Sequence, residues 1–318
     1  MTGGKLAVVT GGAGFIGSHL ADRLVSIGLR VRVVDNLSSG SLENVKHLLP
    51  GRVELVKADL KSPEAAVDAL RGAGTVFHFA ANPEVRVSTT NPEVHFSENV
   101  VATFNVLEAA RKLDVETVVF ASSSSVYGEP EEIPVGEEAP LRPVSVYGAS
   151  KAACEQLLHA YSKLYGIRAV ALRYANVVGP RLRHGAVYDF ILKLRRNPRE
   201  LEILGDGTQT RSYIYVSDAV EATLTAWERA PKGFEAYNVG SEDWITVTEL
   251  AQVVTEVMGL KGVRFTFKPV LHGVGWPGDV KRIALRVDKL KALGWKPSMR
   301  SREAVAKAAS SILSELGG

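Results

Sequence analysis

The chain predicts an α/β protein: a doubly wound parallel sheet of the Rossmann type, followed by a smaller α/β region for substrate binding. Two observations carry this. Apolar runs of strand length alternate with stretches whose apolar residues recur every three or four positions, the rhythm of strand–helix–strand units. The first of those runs also passes straight into a glycine-rich turn that opens a helical pattern, where such sheets bind ligands at the carboxyl edge of their strands.

The strands fall in order at Leu6 to Thr10, Val31 to Asp35, Val53 to Val56, Val76 to Phe79, Thr117 to Ala121 and Ala169 to Arg173. Helices are expected between them near 15–27, 63–71, 99–113 and 147–165. After about residue 175 the alternation breaks at Pro180, Gly185, Pro198, Gly205 and Gly207, which punctuate shorter elements. This divides the chain into a dinucleotide-binding region over 1–175 and a mainly substrate-binding region over 176–318. Segments near 213–240 are expected to return to the first, because Val239-Gly240 closes another short apolar run. Val247 to Met258 reads as a further helix.

Composition excludes several classes. With 46% hydrophobic and 23% charged residues over 318 positions, the chain can bury a large core. It contains no apolar run of about 18 residues, so a membrane span is not expected. Met1-Thr2-Gly3-Gly4-Lys5 leads into Leu6 without the apolar stretch and cleavage site of an export leader. The single cysteine, Cys154, can close no internal disulfide and fits a reducing cytoplasm. A formal charge of +3 without a recognised module does not argue for nucleic acid, and the seven histidines show no metal-ligand spacing.

The turn reads Thr10-Gly11-Gly12-Ala13-Gly14-Phe15-Ile16-Gly17, with glycines three apart at Gly11, Gly14 and Gly17 and the GxGxxG form through Gly12. Glycine there permits the tight turn, the close approach of backbone to a pyrophosphate, and close packing of the next helix, whose amino end favours the anion. Asp35 ends the second strand eighteen residues past Gly17. A carboxylate at that place accepts from both ribose hydroxyls of NAD and repels the 2′-phosphate of NADP, so the expected cofactor is NAD. The predicted cofactor set takes in Phe15 and Ile16, then Asn36, Ser38, Ser39 and Gly40 after Asp35, with Asn99 and Tyr174 further along. Asp59-Leu60 after the third strand and Phe79-Ala80-Ala81 after the fourth belong to it too, although roles as ordinary strand ends explain these nearly as well.

Tyr147 and Lys151 stand four apart on one predicted helix face. A phenol with pKa near ~10 acts as a base at neutral pH only if that value falls by roughly three units, about 4 kcal/mol of differential stabilisation. A nearby ammonium and a cationic cofactor supply such a field. The serine run Phe120-Ala121-Ser122-Ser123-Ser124-Ser125-Val126-Tyr127-Gly128 follows the fifth strand, which sets its hydroxyls on the same sheet edge.

From the glycine turn through this run to Tyr147 and Lys151, the chain resembles the extended short-chain dehydrogenase/reductase family. Arg173-Tyr174-Ala175-Asn176, Gly205-Asp206-Gly207-Thr208-Gln209-Thr210-Arg211-Ser212-Tyr213 and Pro277-Gly278-Asp279 match its nucleotide-sugar branch. The resemblance implies inversion at sugar C4, interconverting UDP-galactose and UDP-glucose with NAD. It gives Ser123 the sugar's reacting oxygen, Tyr147 the proton and Lys151 the nicotinamide ribose. It places Asn176 near the diphosphate, Arg211 on a phosphate with Tyr213 beside it, and Asp279 on the uridine side. The related 4,6-dehydratases carry an acid pair directly after the catalytic hydroxyl; here Ser124 and Ser125 stand there, which disfavours elimination.

Other UDP-sugar reactions of the same fold remain alternatives: 4-epimerisation or decarboxylation of UDP-glucuronate and 4-epimerisation of UDP-N-acetylhexosamines. A non-catalytic NAD-binding sensor is a further one. Trp276 takes the position of a second phosphate-binding arginine, which shifts that grip to Arg181, Arg183 or Arg282. Pro83 and Ala175 replace residues that approach the cofactor, and Ile283 stands where side-chain size gates N-acetylated sugars. The resemblance also implies a homodimer through the helices at Asn99–Leu113 and Tyr147–Tyr165, with Ala153, Leu157, Leu158 and Tyr161 facing the partner.

Overall fold

A computed structural model describes residues 6–49, 51 and 53–317. Residues 1–5, on which part of the argument against an export leader rests, lie outside the described residues.

The N-terminal half alternates as expected. β1 (Leu6–Thr10), α1 (Phe15–Ser26), β2 (Val31–Asp35), β3 (Val53–Lys57), α2 (Pro63–Leu70) and β4 (Ala73–His78) are followed by a one-turn helix α3 (Glu93–His95) and α4 (Ala102–Lys112). Then come β5 (Thr117–Ser123), α5 (Val146–Tyr165) and β6 (Arg168–Tyr174). The helix expected over 99–113 is more than that: a wide-turn segment, Phe96–Val101, links α3 to α4, and Asn99 sits inside it. The second half holds β7 (Asn176–Val178), α6 (Gly185–Arg196), β8 (Glu200–Leu204), β9 (Thr210–Arg211), β10 (Tyr213–Tyr215), α7 (Val216–Arg229) and β11 (Phe234–Val239). β12 (Ile245–Thr246), α8 (Val247–Val257), β13 (Arg264–Lys268), α9 (Asp288–Ala292) and α10 (Ser301–Glu315) complete it.

The main sheet has seven strands in the order β11-β6-β5-β4-β1-β2-β3, and every pairing in it is parallel. Its order reverses between β1 and β4, the switch point where such sheets open a crevice at their carboxyl ends. Strands buried on both faces must be apolar throughout, and β1 shows it: Ala7 and Val9 face one core while Val8 faces the other. α2, α4 and α5 cover the face of Val8. α1 and α7 cover the opposite face, whose core runs on without interruption into α6, α8 and α10. β11 pairs with β6 from Phe234 against Ala169 to Val239 against Tyr174, so the chain returns to the sheet after building part of the second half.

α5 carries the Tyr147–Lys151 pair, and its ends are well specified. Ser145 caps the start, its hydroxyl accepting from Gly148 N–H at 3.1 Å, and Gly166 closes the end in the left-handed region at φ 73°. Two residues expected to face a partner subunit face inward instead. Leu158 is wholly buried in the core under α4, and the Tyr161 hydroxyl donates to Glu108 at 2.7 Å. Spacing alone did not separate the stripe of α5 that packs on α4 from the stripe left outside; the outer apolar surface is Phe96, Phe104, Leu164 and Tyr165.

Candidate active site

One cleft of about 800 Å³ runs across the carboxyl edge of the sheet. Its cofactor end is shaped by backbone. Gly11 lies at φ +65°, and a Cβ there would stand 2.6 Å from Ala80 N; a Cβ on Gly17 would stand 2.3 Å from Gly11 O. Side chains at either place would push the turn off the fourth strand or α1 off the turn. Gly14, the N-cap of α1, brings no side chain to the first-turn amides, so that helix end is left to an external anion. Asp35 is buried and pre-oriented: one carboxylate oxygen accepts from Ala13 N–H at 2.9 Å and the other from Leu37 N–H at 2.8 Å. These residues fit a dinucleotide with free ribose hydroxyls.

Beneath the turn, Thr10 Oγ1 lies 2.7 Å from His78 Nδ1 and accepts from Ala80 N–H at 3.2 Å, while His78 Nε2 meets Thr103 Oγ1 at 3.0 Å. Burial pushes His78 down to about 3, so the ring stays neutral and serves as a brace for Ala80.

At the centre, Gly148 lets α5 come down on the serine run: a Cβ there would sit 2.5 Å from Ser125 O. The Tyr147 N–H donates to Ser88 Oγ at 3.1 Å, and the Tyr147 ring meets His95 edge to face at 5.6 Å. Ser123 Oγ accepts from Ser125 N–H at 3.1 Å, which holds the run in a tight turn. Lys151 is buried, its ammonium donating to Ala121 C=O at 2.7 Å, 5.9 Å from the Tyr147 ring centroid and 4.7 Å from that of Phe120. Burial pulls Lys151 down to about 8, against the raising pull of Cys154 and Glu155. Burial also pushes the Tyr147 phenol up to about 12, with the Ser123 hydroxyl opposing the rise. The expected lowering of the phenol is therefore not achieved by this chain alone, because burial of the hydroxyl outweighs the Ser123 hydrogen bond.

Under the run, Ser122 donates to the buried carboxylate of Glu155, which also takes two guanidinium nitrogens of Arg173, one at 2.6 Å. This pair ties α5 to β6 and fixes the height of the serine turn.

At the far end, the Arg211 guanidinium meets Asp279 at 2.6 Å and donates to the carbonyls of Thr210 and Val280. Asn176 and Tyr213 are register partners on β7 and β10, which brings two distant predicted residues side by side. Burial raises Tyr213, with Arg211 and Asn176 opposing.

The cleft is lined by the predicted Gly11, Gly14, Phe15, Ile16, Gly17, Asp35, Asn36, Ser38, Ser39, Asp59, Leu60, Phe79, Ala80, Ala81 and Tyr174. It brings them together with Ser123, Tyr147, Lys151, Asn176, Arg211, Tyr213 and Asp279. Two predicted residues stand behind it. Gly40 backs Asp35, where a Cβ would come 2.9 Å from both carboxylate oxygens. Asn99 is buried, accepting from Asn82 N–H at 2.8 Å and donating to Ser150 at 2.9 Å, so it braces the cleft wall.

Of the three arginines expected to replace a missing phosphate ligand, two are paired with carboxylates and the third lies off the cleft. Arg181 pairs with Asp22 at 2.9 Å and Arg183 with Glu315 at 2.6 Å, and Arg282 does not line the cleft. The sequence reading passed over Arg86 and Ser88. They sit in the short helical turn Val85–Thr89, which has no periodicity or motif to announce it. Among the described residues no group of three or more His, Cys, Asp or Glu is arranged to hold a metal ion.

The family described as NAD dependent epimerase/dehydratase matches residues 7–240. A crystal structure of a UDP-galactose 4-epimerase is 55% identical, covers 98% of this chain and 99% of its own, and superposes with a TM-score of 0.87. The UDP-glucose 4-epimerase of Thermus thermophilus, solved in complex with NAD, is 37% identical, covers 97% of this chain and 99% of its own, and gives a TM-score of 0.86. The UDP-glucose 4-epimerase of Mycolicibacterium smegmatis is 36% identical over 94% of this chain and 96% of its own length.

Proposed function

The chain belongs to the NAD dependent epimerase/dehydratase family, and on that premise we propose that it interconverts UDP-galactose and UDP-glucose by inversion at C4, with NAD as cofactor. The observation that carries the reading is the convergence of Ser123, Tyr147 and Lys151 at the middle of a cleft whose one end is the Asp35–glycine cradle and whose other end is the Arg211–Asp279 pair. NAD, held by the glycine turn, Asp35 and Lys151, would supply a hydride acceptor and donor for sugar C4.

The residues act around it. The glycine turn and α1 hold the pyrophosphate, Asp35 the ribose hydroxyls. Ser123 Oγ hydrogen-bonds the sugar's O4, and Tyr147 Oη takes the proton from the 4-hydroxyl and gives it back after the 4-keto sugar has turned its other face. Lys151 holds the nicotinamide ribose. Burial keeps the phenol un-ionised at neutral pH in the chain alone, and the positive charge of oxidised NAD would favour the phenolate that accepts the proton. Ser124 and Ser125 offer no acid or base for an elimination.

Two apolar helix faces support a homodimer: Phe96, Phe104, Leu164 and Tyr165 are exposed on the α4 and α5 edge. A monomeric mass by light scattering would contradict it. A cytoplasmic location, without membrane or nucleic-acid partners, rests on the one buried thiol, the near-neutral charge and the lack of any described helix long and apolar enough to cross a membrane.

The test is to mix purified protein with UDP-galactose, with and without added NAD, and follow UDP-glucose by proton NMR. Conversion in either sample supports the reading, and conversion without added cofactor means that NAD is resident. No conversion in both, with UDP-glucuronate or UDP-N-acetylglucosamine turned over instead, replaces the substrate.

A further inference from the structure

We propose that Arg86, its guanidinium laid over the Trp276 ring, is the second cation on the substrate's diphosphate, beside Arg211; this rests on the nucleotide-sugar reading above. A nucleotide-sugar diphosphate is dianionic, and a partly enclosed cleft must meet that charge with donors not already spent. Among the described residues, four arginines line the cleft: Arg86, Arg181, Arg183 and Arg211. Three of them face carboxylates at hydrogen-bonding distance: Arg181 on Asp22 at 2.9 Å, Arg183 on Glu315 at 2.6 Å and Arg211 on Asp279 at 2.6 Å. Arg211 also donates to the carbonyls of Thr210 and Val280, so it brings only part of its guanidinium to a phosphate. Arg86 has only Glu84, at 3.5 Å, and both side chains of that pair are open to solvent, at 46% and 39% exposure. An ion pair of that length and exposure is weak, so the guanidinium keeps its donors for a ligand.

Position supports the same assignment. Arg86 lies two residues before Ser88, whose hydroxyl takes the N–H of Tyr147, where the sugar reacts. Trp276 lies three residues before Asp279, at the opposite end. The Arg86 guanidinium carbon is 5.7 Å from the Trp276 ring centroid, so the pair bridges the stretch between the sugar and the base, which is where a diphosphate sits. The flat ring fixes the guanidinium plane and leaves its edge to present two parallel N–H groups to phosphate oxygens. The indole N–H itself is buried and bonds to nothing among the described residues, so the ring's contribution is its surface.

The experiment is titration calorimetry of the cofactor-loaded protein with UDP, UDP-glucuronate and uridine, together with epimerase kinetics. Arg86→Gln is expected to weaken UDP about tenfold to a hundredfold, the worth of charge-assisted hydrogen bonds. It should leave uridine within about twofold and raise KM far more than it lowers kcat. Arg86→Lys should recover part of the affinity, and Trp276→Phe should bind UDP within about threefold of wild type while Trp276→Ala loses more. Because Arg86 is surface-exposed, its variants are expected to melt as wild type does.

If Arg86→Gln binds UDP normally in a protein that epimerises, the arginine is ordinary surface packing and the inference falls while the functional reading stands. If only UDP-glucuronate weakens, Arg86 serves a sugar carboxylate and the inference also falls. A wild-type protein that binds no UDP and turns over no UDP-sugar removes both.

Discussion

The two ends of the cleft are built by different means. At the cofactor end the shape comes from backbone: glycines where a Cβ would collide, an uncapped helix start, and a carboxylate held by two amides. At the substrate end it comes from side chains drawn from distant segments, Arg211 and Asp279 locked together and Arg86 over Trp276. Backbone sites are rigid and indifferent to what the cofactor is used for. Side-chain sites can be re-tuned one residue at a time, so the substrate end is the part of the cleft where specificity is most easily changed.

Four substitutions sharpen that contrast, beginning with the largest effect. Tyr147→Phe belongs to neither end and should cut kcat by about 10²–10⁴-fold, the usual worth of a positioned acid–base group, with NAD content and melting temperature unchanged. Near-normal turnover would remove Tyr147 from the chemistry.

Lys151→Met should separate function from stability. Lys151 is a lysine whose folded pKa, about 8, lies below its ordinary 10.5, so between those values the unfolded chain binds more protons and stability rises with pH across that window. Below about pH 8 the buried ammonium costs stability, roughly 3 kcal/mol, offset by about 1 kcal/mol for its bond to Ala121. The variant should be inactive yet about 2 kcal/mol more stable at pH 7, with the rise between pH 8 and 10.5 abolished. Melting curves against pH decide it; a variant less stable than wild type at pH 7 would show that the ammonium is not a burden.

Gly17→Ala tests the backbone end. With a Cβ 2.3 Å from Gly11 O, α1 must move, costing about 1–3 kcal/mol and emptying the cofactor site. NAD retained at wild-type stoichiometry would mean the turn is softer than its contacts imply. The smallest effect is expected from Asp35→Asn, which keeps the side chain's shape but removes the charge and leaves one of the Ala13 and Leu37 N–H groups without its acceptor. It should weaken NAD by roughly tenfold and narrow its preference over NADP, read by fluorescence titration of the two reduced cofactors.

The same division explains what could be read in advance. The β1–turn–α1–β2 unit was legible because its determinants are local: an apolar run, glycines at fixed spacing, an acid at the next strand's end. Tyr147 and Lys151 were legible because a helix brings residues four apart together. Their electrostatics were not, since the burial that raises the phenol and lowers the ammonium comes from segments packed over α5, not from the four-residue spacing. Arg181 and Arg183 read as free cations for the same reason, their carboxylates Asp22 and Glu315 lying far along the chain. α6, α7 and α10 went unseen behind the glycines and prolines that interrupt the second half. Leu158 and Tyr161 were turned the wrong way because α5 carries apolar residues on more than one stripe, and only α4 decides which is covered.

β11 returns to the sheet from between pieces of the substrate end, laying Phe234–Val239 along Ala169–Tyr174. The gene therefore has no single point at which the substrate end could be exchanged for that of a relative. A chimera with one crossover near residue 175 would set one parent's last strand against the other's β6, and would need both strands' partners to match. Recombination that respects the fold needs a crossover before β7, another after β10 and a further one after β11. New substrate preferences are therefore reached more readily by point changes around Arg86, Trp276 and Ile283 than by swapping modules.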